Sequence, residues 1–151
     1  MKLAAIARKD REQFFQDKPE WAIYAQRVLC IALCQGAAKH YVDGVTGIND
    51  FDIYTFYRSH SEKRWYAKRI KSYDFGNPKF GRSPDRPDFI GRRVDCLGRA
   101  IDATDKENIV TALRRYIEQG KTETARLLAE KAIVLLEPDC GKVVWPVEQK
   151  A

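Results

Sequence analysis

Asp50 and Asp52 stand two positions apart inside a run that is otherwise mostly apolar and aromatic, "NDFDIYTFY". Side chains alternate faces along a β-strand, so these two carboxylates point the same way. Like charges side by side at an apolar sheet are unfavourable unless a cation neutralises them. A third acid, Asp95, sits between Val94 and Cys96 in another strand-like run. Three carboxylates on neighbouring strands of one sheet make a hard-oxygen site suited to Mg²⁺ or Mn²⁺. Two such ions, about 3.5–4 Å apart, stabilise the attacking and leaving oxygens of an in-line phosphoryl displacement. Plainer readings stand beside this one. Asp50 and Asp52 would then be solvated acids on a half-exposed strand, and Asp95 would pair with Arg92, Arg93 or Arg99.

Upstream, the apolar run "LCIALC" leads into Gln35-Gly36-Ala37, and twelve residues separate Ala37 from Asp50. With Asp50-Phe51-Asp52-Ile53 and Val94-Asp95-Cys96, this order resembles the nucleotidyltransferase superfamily of the DNA polymerase β type. The resemblance covers roughly residues 29 to 99. It implies transfer of a nucleoside monophosphate from an NTP, such as ATP, to an acceptor hydroxyl, with release of pyrophosphate. It also implies two Mg²⁺ or Mn²⁺ ions. Asp50 and Asp52 would hold both, and Asp95 would hold the one that activates the acceptor. Gly36 and Ala37 fall at the nucleotide-binding positions. The signature's Ser is replaced by Ala37, so phosphate contact there would come from backbone N–H groups at the start of the following helix.

Those residues need a scaffold, and the rest of the chain supplies one. Residues 1–16 have a weak amphipathic pattern, and "DKPEWAIYAQR" suggests a second helix with Asp17 as N-cap and Pro19 in its first turn. "LCIALC" reads as a central strand, "AAKHYVDG" as a short helix closed by Gly44, and "NDFDIYTFY" as the next strand. Residues 58–91 are rich in Gly and Pro and read as loop, with a helix near "SEKRWYAKRI". "RRVDCLGR" reads as a third strand stopped by Gly98. "TDKE" forms a capping box at Thr104 and Glu107, opening a helix that runs to Gly120. A second helix is expected from Thr122 through "AIVLL" to Pro138, and "KVVWPV" reads as an edge strand. The expected fold is α/β (α+β): one domain over 1–151, with a small mixed sheet. The three Asp lie on one face of that sheet, helices pack on the other, and C-terminal helices span 104–137.

The net charge of +6 is unevenly placed. Residues 58–93 hold eleven Lys/Arg against four acids, which accounts for the whole excess. A cationic stretch of this kind suits a polyanion, whether triphosphate or nucleic acid. This motivates the alternative reading, a non-catalytic module of the same fold that binds nucleic acid or a partner protein through 58–93. A metal-dependent nuclease or phosphodiesterase is a third reading, though the two histidines give it few metal ligands. Trp65, Tyr66, Tyr73, Phe75 and Phe80 lie among the basic residues, either to stack on bases or to pack the loop onto the core.

"DFG" at 74–76 and "GKT" at 120–122 resemble kinase and phosphate-loop motifs, but neither has its companion signature. The four cysteines lack paired spacing and read as buried free thiols. The longest apolar runs are too short to cross a bilayer, and "RKDREQ" interrupts the signal-like start, so a cytoplasmic protein with no membrane partner is expected. The acceptor is left open between nucleic acid, protein and small molecule.

Overall fold

The computed structural model describes residues 2–65, 69–77 and 79–147. In chain order it contains α1 (Lys2–Asp17), a 3-10 helix (Pro19–Gln26), β1 (Val28–Cys34), α2 (Gln35–Asp43), β2 (Phe51–Arg58) and β3 (Lys71–Asp74). Then come β4 (Arg93–Ile101), α3 (Ile109–Gln119), α4 (Glu123–Ala129), β5 (Ile133–Glu137) and β6 (Val143–Trp145). The strands make one mixed sheet in the order β3-β4-β2-β1-β5-β6. Only β2 and β4 run parallel. The α/β class read from the sequence is what the chain adopts.

Alternation along the strands sorts the core onto two faces. Ile31, Leu33, Ile53, Val94 and Cys96 point to the face covered by α1 and α2. Cys30, Ala32, Tyr54, Phe56 and Ile101 point to the other, under α3. Asp52 and Asp95 belong to this second face by strand parity, opposite α1 and α2 as expected. The helices α3 and α4 also cover this face, but farther along the strands, over Phe56 and Ile101. On α1, Leu3, Ala7 and Phe14 recur at helical spacing and turn inward together.

Several boundaries differ from the sequence reading, each for a local reason. Asp17 is not an N-cap: it is the last residue of α1, where it accepts a hydrogen bond from Gln13 Nε2 at 2.8 Å. Gly98 does not stop β4, which continues to Ile101. Thr104 does not open α3. Asn108 does, its side chain accepting the Val110 N–H at 2.8 Å, while Glu107 reaches back to the Thr104 N–H at 3.3 Å. The helix expected to run to Pro138 ends at Ala129, and "IVLLE" is instead strand β5 between β1 and β6. A short unbroken apolar run fits a fully buried strand as well as a helix, and here both of its faces meet core. Residues 71–74 form β3 where only loop was expected. The helix expected near "SEKRWYAKRI" is absent from 61–65 and 69–70, and its middle, with Tyr66, lies outside the described residues.

Other expectations hold. Gly44 closes α2 in a left-handed conformation (φ 72°), donating its N–H to His40 O at 2.7 Å. Thr122, of "GKT", caps α4 by accepting the Ala125 N–H at 3.0 Å. Cys30, Cys34 and Cys96 are buried free thiols, but Cys140 is exposed. No helix among the described residues is long and apolar enough to cross a membrane.

Candidate metal centre

The register of the parallel pair places Asp52 directly beside Asp95. Asp50 lies just before β2, two residues along on the same side. One carboxylate oxygen from each of Asp50, Asp52 and Asp95 lies within 4.8 Å of the others. The three acids singled out by spacing therefore converge on one point at the N-terminal ends of two neighbouring strands.

The cation that faces them in the protein alone is Arg93, at the start of β4. Its Nη2 donates to Asp50 Oδ2 at 2.6 Å, its Nε lies 3.2 Å from Asp95 Oδ2, and its Nη1 meets Asp85. Three acids raise the Arg93 pKa, the Asp50 hydrogen bond contributing most. Ser72, on the neighbouring β3, donates its hydroxyl to Asp95 Oδ1 at 2.6 Å. Asp52 is left out of this arrangement. Among the described residues its carboxylate has no ion pair within 4.0 Å and no side-chain hydrogen bond. Burial first, then the charges of Asp50 and Asp95, push its pKa up to about 7. Arg93 and Lys131 pull the other way at longer range.

The chain also brings a candidate anion site to this point. Cys34 at the end of β1 pairs with Asp52, so α2 begins beside the acids. Gln35 makes the turn from strand to helix at φ 62°, a conformation uncommon for any residue but glycine. No side chain caps the α2 N-terminus, so its first-turn N–H groups keep their capacity to bind an anion. A Cβ built on Gly36 would come within 3.9 Å of Lys131 Nζ and 3.7 Å of Gly47 O. Gly36 thus leaves open the space between the helix start and a lysine ammonium. Ala37 is different: it is 3 % exposed and its methyl belongs to the core with Ile31 and Leu33. Only its backbone is positioned for a ligand.

These residues fit a hard divalent cation. The donors are all carboxylate oxygens, their spacing is short enough to be shared, and one acid lacks a counter-charge. Arg93 was among the arginines the sequence offered to Asp95. Ser72 and Lys131 were not foreseen. Lys71-Ser72-Tyr73-Asp74 has a single apolar residue and gives no signal for Ser72, and nothing local marks Lys131, which reaches the site through the placement of β5.

The lookalike motifs and loop aromatics have structural roles. Asp74 of "DFG" accepts backbone N–H groups from Gly76 (2.9 Å), Ile90 (2.6 Å) and Gly91 (2.8 Å), closing the base of the 75–92 loop. Those hydrogen bonds hold its pKa below the usual carboxylate range. Phe75 stacks on Phe51 at 5.2 Å and Trp65 on Tyr57 at 4.8 Å, while Tyr73 donates to the buried Asp10 at 2.5 Å. Packing, rather than free stacking surface, is what these rings provide. His40 Nδ1 lies 2.6 Å from Thr46 O, away from the acids. In comparisons with known proteins, no protein family, curated protein or solved structure matches this chain.

Proposed function

We propose that this protein is a divalent-metal-dependent nucleotidyltransferase, moving a nucleoside monophosphate from an NTP to an acceptor hydroxyl with release of pyrophosphate. The observation that carries the reading is the convergence of Asp50, Asp52 and Asp95 within 4.8 Å, with Asp52 short of counter-charge. Asp50 and Asp52 would hold both Mg²⁺ or Mn²⁺ ions, with Asp95 holding the one on the acceptor side. Bound there, the ions supply charge stabilisation to the attacking and leaving oxygens. The chain's own groups do the rest. Asp95 Oδ1 accepts from Ser72 and Oδ2 faces Arg93 Nε at 3.2 Å, so Asp95 would take the acceptor hydroxyl's proton on Oδ2 once Arg93 is displaced. The acceptor oxygen then bonds to the α-phosphorus as the bond to pyrophosphate breaks. The α2 N–H groups and Lys131 would receive the triphosphate charge that Ala37 cannot bind through a side chain. Unpaired cysteines fit a reducing compartment such as the cytoplasm.

One observation favours a second reading. Arg93 already neutralises Asp50 and Asp95, as expected of a binding module that has no need of metal. Incubation with α-labelled NTPs, Mg²⁺ or Mn²⁺ and the nucleic-acid, protein and small-molecule fractions of a cell extract separates the two. The transferase labels one fraction, and Asp50→Asn abolishes the label. A binding module labels none.

A further inference from the structure

The acids lie at the N-terminal ends of β2 and β4, and a separate cavity of about 620 Å³ opens at the other ends of these strands. Its size lies in the range of small-ligand sites. His60 lines it from the segment after β2, Arg99 from β4, Arg115 from α3 and Lys121 from the α3–α4 turn. Arg115 already answers the nearby acids: it pairs with Glu107, and Glu107 and then Asp102 raise its pKa. Arg99 is different. It is half-buried, yet it donates only to neutral oxygens, Thr124 Oγ1 at 3.0 Å and Gly98 O at 3.1 Å. Its Nη2 has no hydrogen bond among the described residues. A charge held partly out of water by neutral partners is unfavourable until an anion joins it. Lys121 is exposed and has no ion pair among the described residues. Two cations on this lining therefore stand without counter-charge.

A third donor joins them. His60 Nδ1 accepts the N–H groups of Glu62 (3.1 Å) and Lys63 (3.3 Å), so the neutral ring carries its proton on Nε2. The donors thus belong to three separate elements around one space. A carboxylate offers two oxygens in one plane and a single charge. A phosphoryl group offers three acceptor oxygens spread in three dimensions and about two negative charges near neutral pH. Donors from several sides and two unanswered positive charges match the second. The cavity is larger than one phosphoryl group, which leaves room for the organic remainder of an ester. A triphosphate brings more negative charge than these two cations offset.

We propose that this cavity binds a small phosphomonoester, with Arg99 and Lys121 on the phosphoryl oxygens and His60 Nε2 donating to the same group. The site is distinct from the acids and stands whether or not they hold metal. The test is a melting-temperature titration of the whole protein in EDTA at constant ionic strength. The probes are inorganic phosphate, phenyl phosphate and, as a dianion without phosphorus, succinate. Both phosphates should raise the melting temperature with saturation, as a ligand of the folded state does, and succinate should not. Lys121→Glu and Arg99→Gln should each weaken the phosphate affinity at least tenfold, the scale of one lost charge-assisted hydrogen bond. Lys121 makes no bond among the described residues, so its variant should melt normally without phosphate. Lys106→Glu, which reverses an exposed charge off the lining, should leave the response unchanged. Lys131→Gln, beside the acids, should also leave it unchanged. No rise with either phosphate, an equal rise with succinate, or unchanged affinity in the Lys121 and Arg99 variants overturns the proposal. So does a response lost in Lys131→Gln, which would place the anion beside the acids. Metal-free NTP should give no such rise, and one that the Lys121 and Arg99 variants abolish would overturn the choice of a monoester.

Discussion

With Asp50 and Asp95 both engaged by Arg93, the unbalanced charge of the cluster falls on Asp52. Its pKa rises from 3.8 to about 7 on folding, so the folded protein binds the proton more tightly than the unfolded chain. The site is therefore most favourable to the fold below the unfolded pKa, and that contribution is lost as pH rises through about 7. Asp52→Asn should stabilise the metal-free protein by about 1–2 kcal/mol at pH 8, a value discounted for solvent reaching the site. The gain should vanish near pH 3. Thermal melts of both proteins across pH check this, and a loss of stability at pH 8 would mean that Asp52 makes structural bonds. Metal binding should release a proton near neutral pH, because the ligand must be ionised. The acids were legible because a period of two is enough to place two carboxylates on one face. Their environment was not legible, since Ser72 arrives on β3 and Lys131 on the turn before β5, strands whose neighbours sequence alone does not name.

Elements that carry their own punctuation were legible: the apolar run of β1, α2 with Gly44 behind it, and α3 with Gly120 behind it. β5 was misread, because an apolar stretch buried on both faces has no period that separates strand from helix. β3 was missed because four polar and mixed residues at a sheet edge carry little signal. Gly98 was read as a stop, and its real use is close approach. A Cβ there would lie 2.9 Å from Trp65 Cζ2 and 3.3 Å from Tyr57 Cε2, both in packed rings. Gly98→Ala should therefore cost about 1–3 kcal/mol by overpacking, read as a lowered melting temperature. Gly36 makes the opposite case. Its added Cβ meets only ordinary contacts, at 3.7 Å and 3.9 Å, so Gly36→Ala should keep or slightly raise stability. It should also narrow the gap to Lys131 and weaken NTP binding. A variant that melts normally and binds NTP unchanged would remove α2 from the nucleotide site.

Across the whole molecule, the positive charge concentrated in 58–93 is spread: Arg93 meets the acids, while Arg58 pairs with Asp105 and Arg69 with Asp10. Asp74 closes the base of its loop, and Phe75 and Phe80 pack against Phe51. The loop ends beside the acids, with Arg92 donating to Asn49 O at 3.4 Å and Arg93 to Asp50, so two of its cations border the acidic centre. A ligand that binds only the folded state raises its melting temperature by mass action. The decisive measurement is the melting temperature with and without NTP, in Mg²⁺, in Mn²⁺ and in EDTA, for the natural chain and for Asp50→Asn, Asp52→Asn and Arg82→Ala. The transferase account predicts a rise that needs both metal and NTP, disappears in the two aspartate variants and survives in part in Arg82→Ala. No rise with any of the four NTPs in either metal, alongside a metal-free rise with nucleic acid that falls steeply with salt, would contradict it.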